Sequence, residues 1–475
     1  MTDFLIPLLP SGESLSRRLY LGLRAAILSG TFPPSSRLPS TRALAEQQGI
    51  SRTVVVLAYE QLLAEGFVSG FEGSGTYVSP DLTRIQAPAS TRPLPVSLSR
   101  FGESAAEVGT RVRVRGQPAL AIDFAYGSEI ATFPFALWNR MLLRCARQSP
   151  VSELDYGLAG GHKLLREGIC AHLRRSRAVH CDPDRVIVVN GSQQALDLIT
   201  RVLIERGDAV AIEDPAYQGT VEVLRTAGAR LLPVPVDQFG LDPFRLPSIA
   251  RCVFVTPSHQ FPTGATLTLE RRIALLEWAR RRNAVVIEDD YDGEFRYEGQ
   301  PLESLQGLDR DSRVIYVGTF SRTIFSSLRI GYLVAPSSLM PALTAAKWLC
   351  DRHTPNLEQQ TLAQFISSGA YGRHLRRVRR RNASRRQALL EAIDQHLRRA
   401  VDVTGDGAGA HVVIWPHKRV AEQALIERAR SRGVGIYGLA PYHVGTAPRP
   451  GFMLGYSRLT EVQIREGMRR LGRLF

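Results

Sequence analysis

The sequence predicts a two-part protein: an N-terminal winged helix-turn-helix of the α+β class, and a larger C-terminal α/β domain with a mainly parallel sheet. Its 475 residues are more than one ordinary domain holds. The first eighty residues contain three helical segments followed by an alternating pattern that turns at glycines. From about residue 119 onward, short apolar runs alternate with helical patterns, which is typical of a sheet covered by helices on both faces.

Composition and charge narrow the functional classes. A hydrophobic content of 44% with 22% charged residues is ordinary for a soluble globular protein. The apolar runs are too short to span a membrane, and the start MTDFLIPLLPSG lacks the basic flank and cleavage pattern of a signal peptide. We therefore expect a cytoplasmic protein without membrane contact. The five cysteines, with no Cys-x-x-Cys spacing, are expected to be reduced thiols. They are Cys145, Cys170, Cys181, Cys252 and Cys350.

The net charge of +15 suggests a polyanionic partner, but the charge is unevenly distributed. Residues 1–80 carry six arginines and six acidic residues, so most of the excess lies downstream. The densest run, residues 373–386, has eight arginines. Two interpretations stay open for this run: a solvated helix face, or a patch that contacts phosphates.

The first predicted helix covers residues 14–28. Its spacing places Leu19, Leu23 and Ile27 on one apolar face, and Gly30 ends it. Residues 40–48 form the second helix, with Ser40 as N-cap.

A short turn then leads into the third helix. Gly49 ends the second helix, and Ser51 can cap the third, whose Val55, Tyr59 and Leu62 turn inward. Helix, tight glycine turn and helix is helix-turn-helix spacing. The following FVSGFEGSGTYVS alternates and turns at glycines, as a two-stranded wing does.

Three motifs in this part, RLPSTRALA, GISRT and GSGTYV, have the order and spacing of the GntR-type winged helix, and residues 12–79 closely resemble that family. The resemblance implies double-stranded DNA as a partner. It places Arg42 on phosphate, Arg52 and Thr53 in the major groove, and the wing glycines near the minor groove. The expected DNA-binding residues are Arg42, Ser51, Arg52, Thr53, Gly73 and Gly75. The alternative is a winged helix that contacts protein instead of DNA.

Residues 80–118 are predicted to be a linker, because they are rich in Pro, Ser and Arg and show no sustained period. The domain that follows, 119–475, has six strand-like runs whose polar motifs fall at their carboxyl ends, where ligands bind in such sheets. The runs are RVIVVN, DAVAIED, CVFVTP, AVVIEDD, RVIYVG and GYLVAP.

The polar motifs resemble those of the fold-type I aminotransferase domain of MocR/GabR-type regulators, which carry a GntR-type winged helix ahead of it. The motifs are GSQQALDL at 191–198, EDPAY at 213–217, TPSHQFPTG at 256–264, IEDDYDGEF at 287–295 and GTFSRTIFSSLRIG at 318–331. The resemblance implies a pyridoxal 5′-phosphate (PLP) site and a head-to-tail homodimer in which this domain dimerises and binds the ligand.

By this resemblance, Ser192 and Gln193 belong to the phosphate loop, and Tyr217 stacks on the pyridine ring. A carboxylate at Asp289 would keep the ring nitrogen protonated, which makes PLP an electron sink. The full set of expected cofactor residues is Ser192, Gln193, Tyr217, His259, Asp289, Tyr291, Thr319, Ser321, Arg322 and Arg329. No metal site is expected.

Arg322 stands where the family carries its PLP-anchoring lysine. A Schiff base needs a neutral amine, and a guanidinium stays protonated, so Arg322 cannot condense with an aldehyde. Three explanations stay open: an anion clamp, a cavity-filling residue, or a substitution introduced into a lysine-bearing parent. Lys347 is not expected to replace the lysine. The arginine that binds the substrate carboxylate in aminotransferases has no clear match in GFMLGYS at 451–457, and Arg449 and Arg458 are named only as candidates.

The sequence therefore predicts a DNA-binding transcriptional regulator without transaminase activity, whose effector domain binds a small molecule, either PLP held without a covalent bond or an amino-acid-like compound. A regulator that senses another small molecule independently of PLP is one alternative. An active PLP-dependent aminotransferase with an accessory DNA-binding module is the other.

Overall fold

A computed structural model of the chain describes residues 13–71, 75–84, 96–111, 120–128, 130–153, 155–297 and 302–475. The chain divides into two compact units, residues 1–97 and residues 98–475. None of the helices within these described ranges has the combined length and hydropathy of a membrane-crossing helix.

The N-terminal unit has three helices and a two-stranded antiparallel wing. They are α1 (Leu15–Leu28), α2 (Thr41–Gln48), α3 (Arg52–Ala64), β1 (Val68–Phe71) and β2 (Gly75–Val78). The predicted inward faces of α1 and α3 pack together in one core, in which Leu19, Leu23, Val55 and Leu62 are fully buried. The winged helix-turn-helix predicted from the sequence is therefore confirmed.

The predicted caps set the helix boundaries of this unit. The hydroxyl of Ser40 accepts a hydrogen bond from the Ala43 amide at 3.2 Å, and that of Ser51 accepts from the Val54 amide at 3.4 Å. Each such cap stabilises its helix by about 0.5–2 kcal/mol. Gly49 ends α2 at φ +63°, a left-handed conformation that glycine adopts without a Cβ clash.

The predicted linker contains a helix that the sequence pattern did not reveal. Helix α4 spans Arg100–Arg111 and packs on the C-terminal unit. Its apolar side chains Phe101, Ala105 and Val108 recur at three- and four-residue spacing, but the Pro-, Ser- and Arg-rich flanks mask that period. The expectation of no regular structure is therefore wrong for these twelve residues. Residues 85–95 and 112–119 of the predicted linker lie outside the described ranges.

The C-terminal unit is built on an eight-stranded sheet within the described residues, of order β4-β11-β10-β9-β8-β5-β6-β7. Strands β10, β9, β8, β5 and β6 run parallel, whereas β11 and β7 are antiparallel to their neighbours. A second, four-stranded antiparallel sheet has the order β12-β13-β16-β15. The strands are β3 (Ile122–Asp123), β4 (Val186–Val189), β5 (Ala209–Asp214), β6 (Arg230–Asp237), β7 (Gly240–Leu241), β8 (Cys252–Val255), β9 (Val285–Asp289), β10 (Val314–Thr319), β11 (Gly331–Val334), β12 (Val401–Thr404), β13 (His411–Pro416), β14 (Val434–Gly435), β15 (Tyr437–Gly438) and β16 (Phe452–Gly455).

Helices surround both sheets of the C-terminal unit: the last three of the chain pack on the four-stranded sheet, and the others cover the large sheet, as the alternating pattern predicts. They are α5 (Phe135–Gln148), α6 (Lys163–Ser176), α7 (Ser192–Leu203), α8 (Gln218–Thr226), α9 (Leu269–Arg282), α10 (Leu305–Leu308), α11 (Met340–Asp351), α12 (Asn356–Ser367), α13 (Ala370–Leu397), α14 (Glu422–Ser431) and α15 (Glu461–Leu471). All six predicted strand runs lie in this sheet, as β4, β5, β8, β9, β10 and β11. Strands β4, β8 and β11 are buried on both faces, which explains their unbroken apolar runs.

Two of the five cysteines are not independent thiols. The structure pairs Cys170 on α6 with Cys181 as a disulfide, with Cα atoms 5.3 Å apart. The expectation of five separate reduced thiols does not hold for this pair, because the turn after α6 folds back on the helix. Cys145, Cys252 and Cys350 are free.

Candidate functional site

The start of helix α3 presents the residues that the sequence predicts for DNA recognition. Arg52 and Thr53 are exposed in its first turn, and Nε of Arg52 donates to Oγ1 of Thr41 at 3.4 Å. Arg42 is exposed at the start of α2. The Ser51 hydroxyl caps α3, so this residue also has a structural role. Arginines at a helix N-terminus add to the positive end of the helix dipole, which attracts phosphate.

The wing carries an arginine that the sequence analysis did not select. Arg37 pairs with Tyr77 of β2, and its side chain is exposed. Gly75 begins β2 at φ +110°, and a Cβ there would lie 2.7 Å from Nε of Arg37. Gly75 therefore lets this guanidinium lie against the wing. In the sequence, Arg37 was marked only by its position as the first residue of the RLPSTRALA motif. The other predicted wing residue, Gly73, lies outside the described residues.

The arginine run of residues 373–386 lies on helix α13 and divides between two environments. Arg379 bonds Glu294 of the same unit at 2.8 Å, and Arg385 donates to the Ser457 carbonyl at 2.5 Å. By contrast, Arg376, Arg377, Arg380 and others of the run are exposed. Part of the run therefore anchors α13 to its domain, and the rest forms a basic surface.

The C-terminal unit has a cavity of about 160 Å³ at the carboxyl ends of its central strands. Asp289 ends β9, Thr319 ends β10, Thr256 follows β8, and Ser192 follows β4. The sheet order brings these strand ends together although they are far apart in sequence. The lining residues are Tyr126, Ser192, Gln193, Tyr217, Thr256, Phe261, Asp289, Tyr291, Thr319, Ser321, Arg322, Ser326 and Arg329. They include nine of the ten predicted cofactor residues.

One end of the cavity is suited to a phosphate. Helix α7 begins there at Ser192, directly after Gly191, whose φ is +82°. Nη2 of Arg329 donates to the Asn190 carbonyl at 3.0 Å, and a Cβ on Gly191 would lie 2.6 Å from this guanidinium. The Ser321 hydroxyl is buried without a partner among the described residues. Free helix amides, a guanidinium and a hydroxyl are the groups that bind phosphate.

The deeper part of the cavity has aromatic walls and a buried carboxyl. The rings of Tyr217 and Phe261 lie 5.8 Å apart, and those of Phe261 and Tyr291 lie 5.6 Å apart. Burial and the neighbouring Asp290 raise the pKa of the Asp289 carboxyl to about 7. Oδ1 of Asp289 has no hydrogen-bond partner within the described part of the chain. A protonated ring nitrogen would supply that partner.

Arg322 enters the cavity from the segment after β10. Its Cζ lies 4.0 Å from the centroid of the Tyr126 ring, a cation–π contact worth about 0.5–2 kcal/mol. Within the described residues, its guanidinium makes no hydrogen bond and no ion pair at bonding distance. A permanently charged group with five N–H donors therefore lines the cavity and rests on an aromatic face.

None of the three lysines of the sequence, each of which the structure describes, lines this cavity. Lys347 is buried in α11, where Nζ bonds Gln194 at 2.9 Å, Asp351 at 2.8 Å and Thr354 at 3.1 Å. Lys347 is thereby tied to helix α7 through Gln194. Arg449 lies 4.3 Å from the Trp415 ring centroid, outside the lining residues.

His259 is the predicted cofactor residue that does not line the cavity. It is buried behind Tyr291, with Nδ1 3.1 Å from the Tyr291 hydroxyl, and burial lowers its pKa to about 4. The motif was recognised correctly, but the fold of its turn directs Phe261 into the cavity and His259 behind the wall. Tyr126, Thr256 and Ser326 also line the cavity and were missed. Tyr126 lies before the first motif, where no local pattern marks it.

His259 also belongs to a buried cluster with Asp292 and His411, in which one ligand atom from each lies within 4.8 Å of the others. Nε2 of His411 bonds the Pro262 carbonyl at 2.8 Å. Burial raises the pKa of Asp292 to about 6 and lowers that of His411 to about 3, and the nearby charge of Arg322 lowers both. Because Nδ1 of His259 lies 3.1 Å from the Tyr291 hydroxyl, we interpret this cluster as a support for Tyr291.

The residues present fit PLP. The unpartnered Ser321 hydroxyl and the start of α7 suit its phosphate, Tyr217 suits its ring face, and the Asp289 oxygen, unpartnered among the described residues, suits its ring nitrogen. When bound beside a carboxylate, PLP supplies an electron sink. Arg322 would bring a permanent positive charge to such a ligand, because a guanidinium stays protonated.

Comparisons with known proteins agree with both units. The model of bacterial regulatory proteins of the gntR family matches residues 15–78, and that of aminotransferase class I and II matches residues 139–471. The chain is 38% identical over 469 residues to the probable rhizopine catabolism regulatory protein MocR of Rhizobium meliloti, covering 97% of this chain and 94% of that protein. It is 31% identical over 454 residues to the HTH-type pyridoxine biosynthesis transcriptional regulator PdxR of Corynebacterium glutamicum, covering 95% and 94%.

Among solved structures, the chain is similar to LysN, an α-aminoadipate aminotransferase from Thermus thermophilus that was crystallised with N-(5′-phosphopyridoxyl)-L-leucine. The TM-score is 0.70 and the identity 30%, and the match covers 79% of this chain and 98% of that chain. The fold-type I aminotransferase architecture predicted for the C-terminal domain is therefore confirmed.

Proposed function

Because the chain belongs to the MocR-type transcriptional regulators, in which a gntR-family domain precedes an aminotransferase class I and II domain, we propose that it recognises specific operator DNA and responds to a PLP-class ligand without catalysing transamination. The proposed response to a PLP-class ligand without transamination rests on the cavity of the C-terminal unit. It combines a phosphate end, aromatic walls and a buried carboxyl with an arginine, and none of the three lysines lines it.

The DNA-binding half rests on exposed groups of the winged helix. Arg52 and Thr53, which are exposed in the first turn of α3, contact base edges in the major groove. The exposed Arg42 contacts the DNA phosphates, and Arg37 lies beside the wing. The chain acts as a head-to-tail homodimer, so its operator contains two half-sites. DNase footprinting on the region upstream of its own gene tests this. Two protected half-sites support it, and uniform protection regardless of sequence contradicts it.

Replacing Arg52 with alanine is expected to weaken specific DNA binding by about 1–3 kcal/mol and to relax the preference at one base position per half-site, because the side chain that reads this base is removed. Fluorescence anisotropy with the operator and with scrambled DNA gives the ratio of specific to non-specific affinity. The matched control is Arg17→Ala, since Arg17 lies on α1 beside Glu13 and the Tyr20 ring. An equal weakening on both DNAs would assign Arg52 to phosphate binding instead.

Replacing Arg42 with alanine is expected to weaken binding to operator and scrambled DNA alike, because this residue is assigned to the phosphate backbone. In plots of log binding constant against log salt concentration, the slope should fall by about 1 for each phosphate that is no longer neutralised. Titrations at several salt concentrations measure it. A selective weakening on the operator, with an unchanged slope, would contradict the assignment.

A second candidate is a regulator that does not use PLP, and the observation that favours it is Arg322 itself, which removes the covalent anchor. The retained Asp289 carboxyl and the phosphate end favour the PLP-class ligand over this candidate. The third hypothesis, an active aminotransferase, lacks a lysine in the cavity. Measurable turnover of any amino-acid and keto-acid pair would restore it.

A further inference from the structure

The cavity presents two guanidiniums to a ligand at different places. Arg329 lies at the phosphate end beside the start of α7, and Arg322 lies over the Tyr126 ring. A phosphate bound to Arg329 leaves Arg322 without a hydrogen-bond or ion-pair partner in the described part of the chain, although Asp292 acts on its charge from a longer distance. The carboxyls nearby compensate it only in part. Burial raises the pKa of Asp289 to about 7 and that of Asp292 to about 6.

The size and walls of the cavity define the rest of the ligand. Its volume of about 160 Å³ is below the range of about 300–1,000 Å³ for drug-sized ligands, so it suits a single ring with short substituents. The aromatic walls formed by Tyr217, Phe261 and Tyr291 suit a flat ring. The ligand is then an aromatic ring with one anionic group toward Arg329 and another toward Arg322.

Resting on the proposed function, we propose that the effector is a phosphorylated pyridine that carries a carboxylate on the side arm where PLP has its aldehyde, and that Arg322 binds this carboxylate. An aldehyde offers a guanidinium one uncharged acceptor, whereas a carboxylate offers a charge and two parallel acceptors that match the planar fork. The role that a lysine has through a covalent bond passes here to an arginine through charge-assisted hydrogen bonds.

Two compounds share this chemistry and differ in reach. In 4-pyridoxic acid 5′-phosphate the carboxylate is attached directly to the ring carbon. In N-(5′-phosphopyridoxyl)-glycine it belongs to an amino acid joined through nitrogen. Pyridoxine 5′-phosphate has an uncharged hydroxymethyl group at the same carbon and serves as the matched neutral probe.

Isothermal titration calorimetry of the full chain with these three probes tests the inference. At least one carboxylate probe should bind at least about tenfold more tightly than pyridoxine 5′-phosphate, because a charged pair replaces a neutral contact. The carboxylate probe that binds more tightly shows how far the carboxylate of the ligand lies from the pyridine ring. Equal affinity for all three probes, or binding of none, overturns the inference, and this comparison needs no altered protein.

Arg322→Gln should abolish the preference for carboxylate while retaining binding of the neutral probe. Arg271→Gln is the matched control, because Arg271 also lies over an aromatic ring, that of Phe239, but outside the cavity, and this variant should keep the preference. A preference that survives Arg322→Gln overturns the assignment. Footprinting separates the two proposals. Specific protection of the operator, with equal binding of the neutral and carboxylate probes, overturns only this inference. Absence of specific protection, with a clear carboxylate preference, overturns only the proposed DNA recognition.

Discussion

Replacing Arg322 with lysine is expected to give the protein a covalent bond to PLP in the cavity, because an amine condenses with an aldehyde and a guanidinium does not. The position lines a cavity that also holds the Asp289 carboxyl and a phosphate end, so an amine there would meet the aldehyde of bound PLP. A lysine in such surroundings has its pKa lowered by desolvation and reacts as the neutral amine. After borohydride reduction and dialysis, intact-protein mass spectrometry should show one reduced cofactor per chain in Arg322→Lys only.

The unaltered protein is the matched control for this experiment, since it carries the same three lysines and would show any non-specific labelling. Reversible absorbance changes without a retained mass in the unaltered protein would support a non-covalent PLP-class site. Equal labelling of both proteins, or no cofactor on either, would contradict the assignment of this cavity to PLP.

Replacing Arg177 with alanine is expected to lower the free energy of unfolding of the C-terminal unit by about 3–5 kcal/mol, because it leaves a buried carboxylate unpaired. Nε of Arg177 bonds Oδ2 of Asp290 at 2.7 Å, with side chains only 3% and 2% exposed. Its other nitrogens donate to the Leu302 carbonyl at 2.7 Å and to the Ser258 hydroxyl. Arg177 thereby supports the strand end that carries Asp289.

Urea unfolding followed by tryptophan fluorescence measures this destabilisation, because all four tryptophans lie in the C-terminal unit. Arg201→Ala is the control: its ion pair with Asp197, at 2.9 Å, is exposed and should contribute at most about 1 kcal/mol. The double replacement Arg177→Met with Asp290→Leu should recover much of the stability. A destabilisation no greater than that of the control would show that the buried pair is not needed.

The positive charge of the molecule is unevenly divided between the two units. The N-terminal unit has little net charge of its own, so its DNA affinity rests on a few placed arginines such as Arg42 and Arg52. The exposed arginines of α13, among them Arg376 and Arg380, supply the larger basic surface. A salt dependence steeper than the winged helix accounts for would indicate that this surface also binds phosphates.

The sequence alone determined the local features of this protein. Apolar periodicity identified the three helices of the winged helix and six strands of the large sheet, and Ser40, Gly49 and Ser51 marked helix ends correctly. These features depend on hydrogen bonds and side-chain spacing within a few residues, so the pattern itself carries the information. The resemblance of its motifs to the fold-type I aminotransferase family then located nine of the lining residues of the cavity.

Only the tertiary structure decided which side chains face the same space. His259 and Phe261 share one motif, yet the turn puts the first behind the wall and the second on it. Tyr126 lies under Arg322 although nearly two hundred residues separate them. Arg177 pairs with Asp290 across more than a hundred residues. Such contacts follow from the order in which strands join the sheet and from the packing of loops across it, and no local spacing encodes that order.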